Sequence, residues 1–554
     1  MKSRLHIGHL VLIFALALLP LAATFTLQYP DERHYTDGAL TMLRDHDWLV
    51  PKTPLDHTGE WVPRFQKPPL AYWLTAASFT VFGVNPFAAR LPFLLACCGT
   101  LLLTWRLALR LTRNAATAQL AVVVLLAQFQ FVLCAARSIP DALLIFSVTL
   151  SAFGFLRLLT LGELKRGAFA MAYGGAALAA MSKGLLGLGI VLFAWAFAVV
   201  REKKFCAVKK LLHWPSLALA TLVVVAWFAA ILHRYGATAW HGFFDDQVTG
   251  NLHGSAFAPL WRAPLFALLL VVNFLPWSLP AIETWWRGGN FFAVNQLNSP
   301  ARSFILAWAA ALVVGFALGS NVSPRYLLPA SPLLAIFVAD ILANAPETSL
   351  IFSPRRLLNF VLGLLLVLNL VALLVQLQWP GAWLALLAAG VFVGVVFALG
   401  FGAQRSAWFT PSEGLGLAVV LMFPLLFFGA SPIALPDPCE QMAMSLRRAG
   451  VTPGERVLFI GSQAKASGLR LFLRGQGCVV RADTLAAASQ KNFHVLIVPQ
   501  REAAALRARG AVLQLAAQVV RAPEPQTLWS AFRRRAVADA LDDASEKYFL
   551  ARLP

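Results

Sequence analysis

Charged residues are scarce in this chain. Asp, Glu, Lys and Arg make up 13% of its 554 residues, while 59% are hydrophobic. An ordinary soluble domain carries about 25% charged residues. That deficit excludes a soluble enzyme, a disordered protein and a disulfide-stapled secreted module, and it fits a chain that largely faces lipid. Cysteine is also sparse, with six residues and no CxxC or His-paired spacing, so no zinc or redox motif is present. Cys97, Cys98, Cys134 and Cys206 lie in or beside apolar segments and read as small core residues. Cys439 and Cys478 fall in a more polar tail, where a bridge between them stays open if the tail lies in an oxidising compartment. The net charge of +20 would suggest nucleic acid in a soluble protein. Here location matters more: residues up to Leu435 hold 29 Lys/Arg and 16 Asp/Glu, and the tail from Pro436 holds 17 and 10.

What the chain has in abundance is long apolar runs. Runs of spanning length, ~20 residues, are centred near Ala15, Leu101, Val124, Phe146, Ala176, Phe193, Val223, Leu268, Ala310, Leu334, Leu366, Val391 and Leu421. They predict about 13 transmembrane helices in an all-α bundle over residues 1–435. The runs near Ala176 and Phe193 are parted only by Ser182-Lys183-Gly184, so their merger would lower the count. The first run follows Lys2 and Arg4 as a signal peptide would, but lacks a small-residue cleavage site and reads as a retained helix. With the N-terminus cytoplasmic, inner loops and span ends collect 18 Lys/Arg against five in the short outer loops. An odd number of spans then puts the tail on the outer side of the membrane.

Two segments break the apolar pattern. The outer loop at residues 30–69 carries seven of the 16 acids upstream of the tail. After it, Leu70 to Phe82 is short and aromatic, suited to lying at the interface. In the tail, residues 436–554, the stretches Arg456–Gly461, Cys478–Val480 and Phe493–Val498 read as short strands alternating with Ala- and Leu-rich helical stretches. That rhythm predicts a small α/β domain. Gly461-Ser462-Gln463 is too little for a phosphate-binding fingerprint, which leaves scaffold or lid as the plainer role.

Ionisable residues at span ends usually have a partner or a task, because a polar group left in lipid is costly. Here they accumulate on the outer side: Asp31 and Glu32 after the first span, Lys67 before the interfacial segment, Asp141 at the next outward turn, Lys183 between two spans, and His253 and Arg325 further on. Converging acids could orient or deprotonate a nucleophile, and cations could hold a phosphate. Each has a plainer reading: Asp31, Glu32 and Asp141 as helix-start acids, Lys67 as a snorkelling residue, Lys183 and Arg325 as topology charges. His253 alone is a weak metal candidate. Tyr35 and Tyr326 read equally as members of an aromatic belt.

These residues, in this order, resemble a known family. DERHYTDGALTMLRDHDWLVP and RFQKPPLAYWLTAASFTVFG are similar to the first outer loop of the bacterial aminoarabinose lipid A transferases. They are also similar to the wider protein O-mannosyltransferase-like group of the GT-C superfamily. RSIPDALLIF, SKGLLGLGIV, NFLPWSLP and SNVSPRYLLPASPLLA extend the likeness over the membrane part. The resemblance implies a many-span bundle with outer juxtamembrane loops and a soluble periplasmic domain. It places Asp31 at the catalytic centre with Asp141 as the second acid, Glu32 beside them, Lys67 as a phosphate-binding residue and Tyr326 in the late YxLP motif.

Two departures bear on substrate. His34 stands where the family has Arg in Asp-Glu-x-Arg-Tyr, and Gln66 stands where it has Glu in Tyr-Phe-Glu-Lys-Pro. Losing that Glu argues against a divalent metal, and no other cofactor is implied. Arg64, gained nearby, is a candidate to relocate the cation that holds the donor phosphate, together with Lys67, Lys183, Arg325, Tyr35, Tyr326 and His34. The implied activity is inverting transfer of a sugar, best matched by 4-amino-4-deoxy-L-arabinose, from undecaprenyl phosphate to lipid A. The rivals are another polyprenyl-linked sugar or a protein or polysaccharide acceptor on the same fold, and, in a different class, a transporter or lipid flippase.

Overall fold

A computed structural model describes residues 5–24, 31–55, 60–245, 258–287, 296–319, 321–343, 351–376, 390–400, 410–429, 438–452, 455–474, 478–485, 493–508, 510–520 and 545–552. The apolar runs form helices: α1 (Ile7–Thr24), then, after two shorter helices α2 (Glu32–Asp45) and α3 (Leu70–Phe82), α4 (Pro86–Thr112), α5 (Ala115–Leu126), α6 (Phe129–Ala135), α7 (Asp141–Leu159), α8 (Arg166–Lys183), α9 (Leu186–Glu202), α10 (Trp214–Tyr235) and α11 (Ala237–Phe244). The series continues with α12 (Ala258–Asn273), α13 (Ser278–Trp286), α14 (Ser299–Ala317), α15 (Ser331–Ala343), α16 (Pro354–Gln376), α17 (Gly390–Gly400) and α18 (Pro411–Gly429).

All the run centres fall inside helices, so this is a multi-pass membrane protein. Among the described residues, six helices are long and apolar enough to cross a bilayer, or eight if each bent pair is one span. The expected 13 is not reproduced as a count, because several apolar helices are short and two are broken. The α5–α6 pair bends by 73° and the α12–α13 pair by 106°. The two runs parted by Ser182-Lys183-Gly184 are separate helices: Gly184 at φ +83° reverses the chain. A Cβ on Gly187 would then sit 2.4 Å from the Ala176 carbonyl. Helix starts follow local chemistry: Asn85 accepts from the Ala88 N–H at 2.8 Å and Pro86 opens α4.

Small residues let the helices approach closely. A Cβ on Gly154 would lie 2.2 Å from the Ala172 backbone nitrogen, and one on Gly175 would lie 2.4 Å from that of Ser151. The Ser151 hydroxyl donates to the Ala172 carbonyl at 2.7 Å across that contact. Elsewhere the helices turn large side chains outward, as with Leu219, Leu222, Phe360 and Val367. Such a surface is costly in water and suits lipid.

The segment between α1 and α3 holds, besides α2, a small antiparallel hairpin of β1 (Lys52–Pro54) and β2 (Trp61–Pro63). The tail opens with α19 (Pro438–Arg448), and its expected strands appear as β3 (Arg456–Ile460), β4 (Cys478–Ala482) and β5 (Val495–Pro499), with α20 (Gln463–Phe472) and α21 (Gln500–Ala508) between and after them. β3 pairs parallel with β4 and β5. Two strands differ from expectation. β6 (Val512–Val520), Ala- and Leu-rich, is a strand antiparallel to β7 (Ser545–Arg552), which in turn pairs antiparallel with β5. Its pairing with a strand far along the chain overrides a helix-like composition. Alternate residues of β3 feed both faces: Val457 and Phe459 pack with Met442 and Leu469, Leu458 and Ile460 with Ala503 and Leu506. Cys439 is buried, with its Sγ 3.5 Å from the Lys465 carbonyl, and the Cys478 side chain lies outside the described residues.

Candidate active site

Helix starts and ends from distant parts of the chain meet at one end of the bundle. Asp31 precedes the first turn of α2, and its carboxylate, 43% exposed, accepts from Arg325 Nη1 at 2.9 Å. Arg325 lies in a short 3-10 helix, Pro324–Ala330, that leads into α15. Asp141 opens α7 and is buried, with Lys183 Nζ at the last residue of α8 2.6 Å from Oδ1. Lys183 also lies 5.5 Å above the Tyr326 ring, which stacks on Phe316 at 5.0 Å.

Of these groups Asp141, Lys183, Arg325, Tyr326 and Phe316 line a cavity of about 520 Å³, and Asp31 is joined to it through Arg325. Lys67, Asp141, Lys183, Asn321, Arg325 and Tyr326 form its polar side. The remainder is apolar, walled by Leu186, Phe193, Trp308, Leu312 and Phe316. A cationic mouth joined to an apolar arm matches a ligand with an anionic head on a hydrocarbon chain. The mouth also lowers the basicity of Lys67. Burial first, then repulsion from Lys183 and Arg64, brings it to about 8 from 10.5, while Asp141 and Asp31 oppose the shift.

The other expected residues divide. His34 follows on α2, and burial with the nearby Arg64 and Arg33 guanidiniums pushes it down to about 3. At neutral pH it is an uncharged imidazole and not a phosphate-holding cation. Arg33 Nε donates to its Nε2 at 3.3 Å, which puts the ring proton on Nδ1. Tyr35 is buried 5.0 Å from the Tyr72 ring, and burial raises its hydroxyl well above the usual range, so it stays protonated. Arg64 is near enough to act on His34, Tyr35, Lys67 and Tyr72. Arg64, His34 and Tyr35 do not line the cavity.

Glu32, next to Asp31, points the other way. It is 1% exposed and forms a two-pronged ion pair with Arg90, Nε to Oε1 at 2.8 Å and Nη2 to Oε2 at 3.1 Å. It also accepts from the Ser138 N–H at 2.8 Å, and Arg90 donates to the Leu21 and Ala22 carbonyls. That junction ties the end of α1, the start of α2, α4 and the turn before Asp141 together.

Arg90 was not singled out from sequence, though the rule that flagged Lys183 applies to a lone Arg at the head of an apolar run. The cavity walls carried no such signal, because Phe193 and Trp308 look like any span residue. His253 lies outside the described residues. Gln66 is half-buried, and its Oε1 has no hydrogen-bond partner among the described residues. Among the described residues no three His, Cys, Asp or Glu side chains gather as metal ligands, and the three site acids are each engaged by a cation.

Comparison with known proteins agrees with this architecture. The family of dolichyl-phosphate-mannose-protein mannosyltransferases matches residues 66–229, a stretch that includes Lys67, Asp141 and Lys183. The undecaprenyl phosphate-alpha-4-amino-4-deoxy-L-arabinose arabinosyl transferase of Serratia proteamaculans is 28% identical over 425 residues, covering 72% of each chain. Its counterpart from Pectobacterium carotovorum is 28% identical over 455 residues, covering 77% of this chain and 76% of the relative. The crystal structure of ArnT from Cupriavidus metallidurans bound to undecaprenyl phosphate superposes with a TM-score of 0.69 at 17% identity, covering 92% of this chain and 95% of that one. The chain is a multi-pass membrane protein with the fold of the Cupriavidus ArnT structure.

Proposed function

We propose that the chain is an integral-membrane glycosyltransferase that moves 4-amino-4-deoxy-L-arabinose from undecaprenyl phosphate to lipid A. The observation that carries this reading is the cavity that joins Lys67, Lys183 and Arg325 to an apolar arm. It suits a polyprenyl phosphate, the group bound in the Cupriavidus structure. The Lys/Arg asymmetry supports a cytoplasmic N-terminus and a periplasmic domain over residues 436–554, with the mouth facing the periplasm. No nucleotide sugars occur there, so a lipid-linked donor is required.

Direct displacement with inversion is the course that the family resemblance implies. In the resting site Arg325 holds Asp31 and Lys183 holds Asp141. A donor phosphate entering the mouth competes for both cations and releases the carboxylates. Asp31, the more exposed acid, then orients or deprotonates the acceptor nucleophile, with Asp141 assisting. Lys67, Lys183 and Arg325 neutralise the departing lipid phosphate, where negative charge develops. Glu32 contributes by position, through Arg90. Charges at one end of the bundle suit a lipid-linked transfer better than a transport path, which places them near the bilayer midplane.

A second reading keeps the fold and changes the sugar or acceptor. It rests on Gln66 and the neutral His34, which replace charged family residues. Mass spectrometry of lipid A from cells with and without the gene, and with Asp31→Asn, tests the assignment. An increment of one pentosamine that is lost in the variant is expected. Unchanged lipid A would refute the acceptor and sugar named here.

A further inference from the structure

We propose that the C-terminal domain positions the catalytic helix: Arg470 on α20 holds α2, and thereby Asp31, in its working place. The inference rests on the role of Asp31 proposed above. A 14-residue helix is marginal alone, and Asp31 makes no side-chain cap to it. Its direction must therefore come from what it packs against.

Two buried ion pairs grip α2. Glu32 is held by Arg90 from the bundle. Asp37 is held by Arg470 Nη1 at 2.7 Å, with the two side chains 4% and 5% exposed. Residues five apart stand about 140° round a helix, so the bundle and the C-terminal domain clamp different faces. Arg470 is itself fixed, because its Nε donates to the Val479 carbonyl of β4 at 3.3 Å and its guanidinium lies 5.5 Å from the Trp61 ring of the first-loop hairpin. The Thr36 and Ser467 hydroxyls meet at 3.2 Å beside the pair. The next residue, Leu471, packs with Ala39, Leu40, Ala76 and Phe79. The sheet of the tail thus reaches α2 through one arginine, and Asp31 lies ~9 Å along the helix from Asp37. The phosphate-facing cations sit on other elements, so loosening this clamp displaces the acid and leaves the phosphate site in place.

The test uses the full-length purified protein and compares wild type with Arg470→Met and Arg470→Lys. It reads kcat, undecaprenyl phosphate affinity, and amide hydrogen exchange of α2 against α7. Loss of kcat of about 10-fold or more in Arg470→Met is expected, since small misplacements of a reacting group are costly. Affinity should stay near wild type, and exchange should rise in residues 32–45 but not in 141–159. Lysine, unable to reach both Asp37 and the Val479 carbonyl, should fall between. Unchanged kcat and unchanged α2 exchange in either folded variant would overturn the proposal. If Arg470→Met does not fold, Arg470→Lys decides by the same criteria. Lack of transfer by the wild type would count against the proposed function instead, and the exchange experiment would still decide the positioning role.

Discussion

Replacing Glu32 separates chemistry from architecture at the start of α2. Its carboxylate meets Arg90 at 2.8 and 3.1 Å and the Ser138 N–H at 2.8 Å, with side chains 1% and 3% exposed. Removing one partner of a buried ion pair costs about 3–5 kcal/mol, because the other charge is left uncompensated. Glutamine still accepts from Ser138 and from one arm of Arg90, so Glu32→Gln should fall near the lower end, about 3 kcal/mol. Alanine loses all three contacts and should approach about 5 kcal/mol. Thermal unfolding in detergent reads the loss, and transfer activity should fall alongside it. Adding Arg90→Met to Glu32→Gln removes the stranded cation and should restore part of both. If Glu32→Gln unfolds like wild type yet is inactive, Glu32 does chemistry and the positioning argument fails.

Lys67 loses its proton at about 8 rather than 10.5, so the cation it offers the donor is present below that pH and lost above it. kcat/KM for the donor should be flat to about pH 8 and then fall, whereas Lys67→Arg should remove the fall; a flat profile to pH 10 would contradict the assignment. Gly315 lines the apolar arm with open space at its Cβ position. Gly315→Phe should raise KM for a long-chain polyprenyl donor several-fold more than for a short-chain one, and equal effects would place the lipid elsewhere. Gly154→Val drives a side chain into the Ala172 backbone and should cost at least about 1–3 kcal/mol, seen as loss of folded protein after extraction; normal yield would refute the tight α7–α8 contact.

Much of the fold was legible because burial in lipid imposes long apolar runs and the tail's parallel strands are compact hydrophobic blocks. The candidate acids and cations were legible for the same reason, standing out at span ends where charge is costly. Their pairing was not. Asp31 and Arg325 are 294 positions apart, and Asp37 and Arg470 are 433 apart. Nothing local to either residue announces such a partner. Glu32 and Asp31 are adjacent in sequence and look alike, yet the ~100° between successive helix positions sends Glu32 to Arg90 in the bundle interior and Asp31 to Arg325. β6 escaped because its Ala-rich sequence owes its strand conformation to β7 alone.

The most direct test of the account is to measure undecaprenyl phosphate binding and sugar transfer on the same preparation of Asp31→Asn. The account predicts binding close to wild type, since Lys67, Lys183 and Arg325 remain, with transfer reduced at least about 100-fold. Transfer at the wild-type rate would contradict the central claim that Asp31, paired with Arg325 beside this cavity, is the reacting acid.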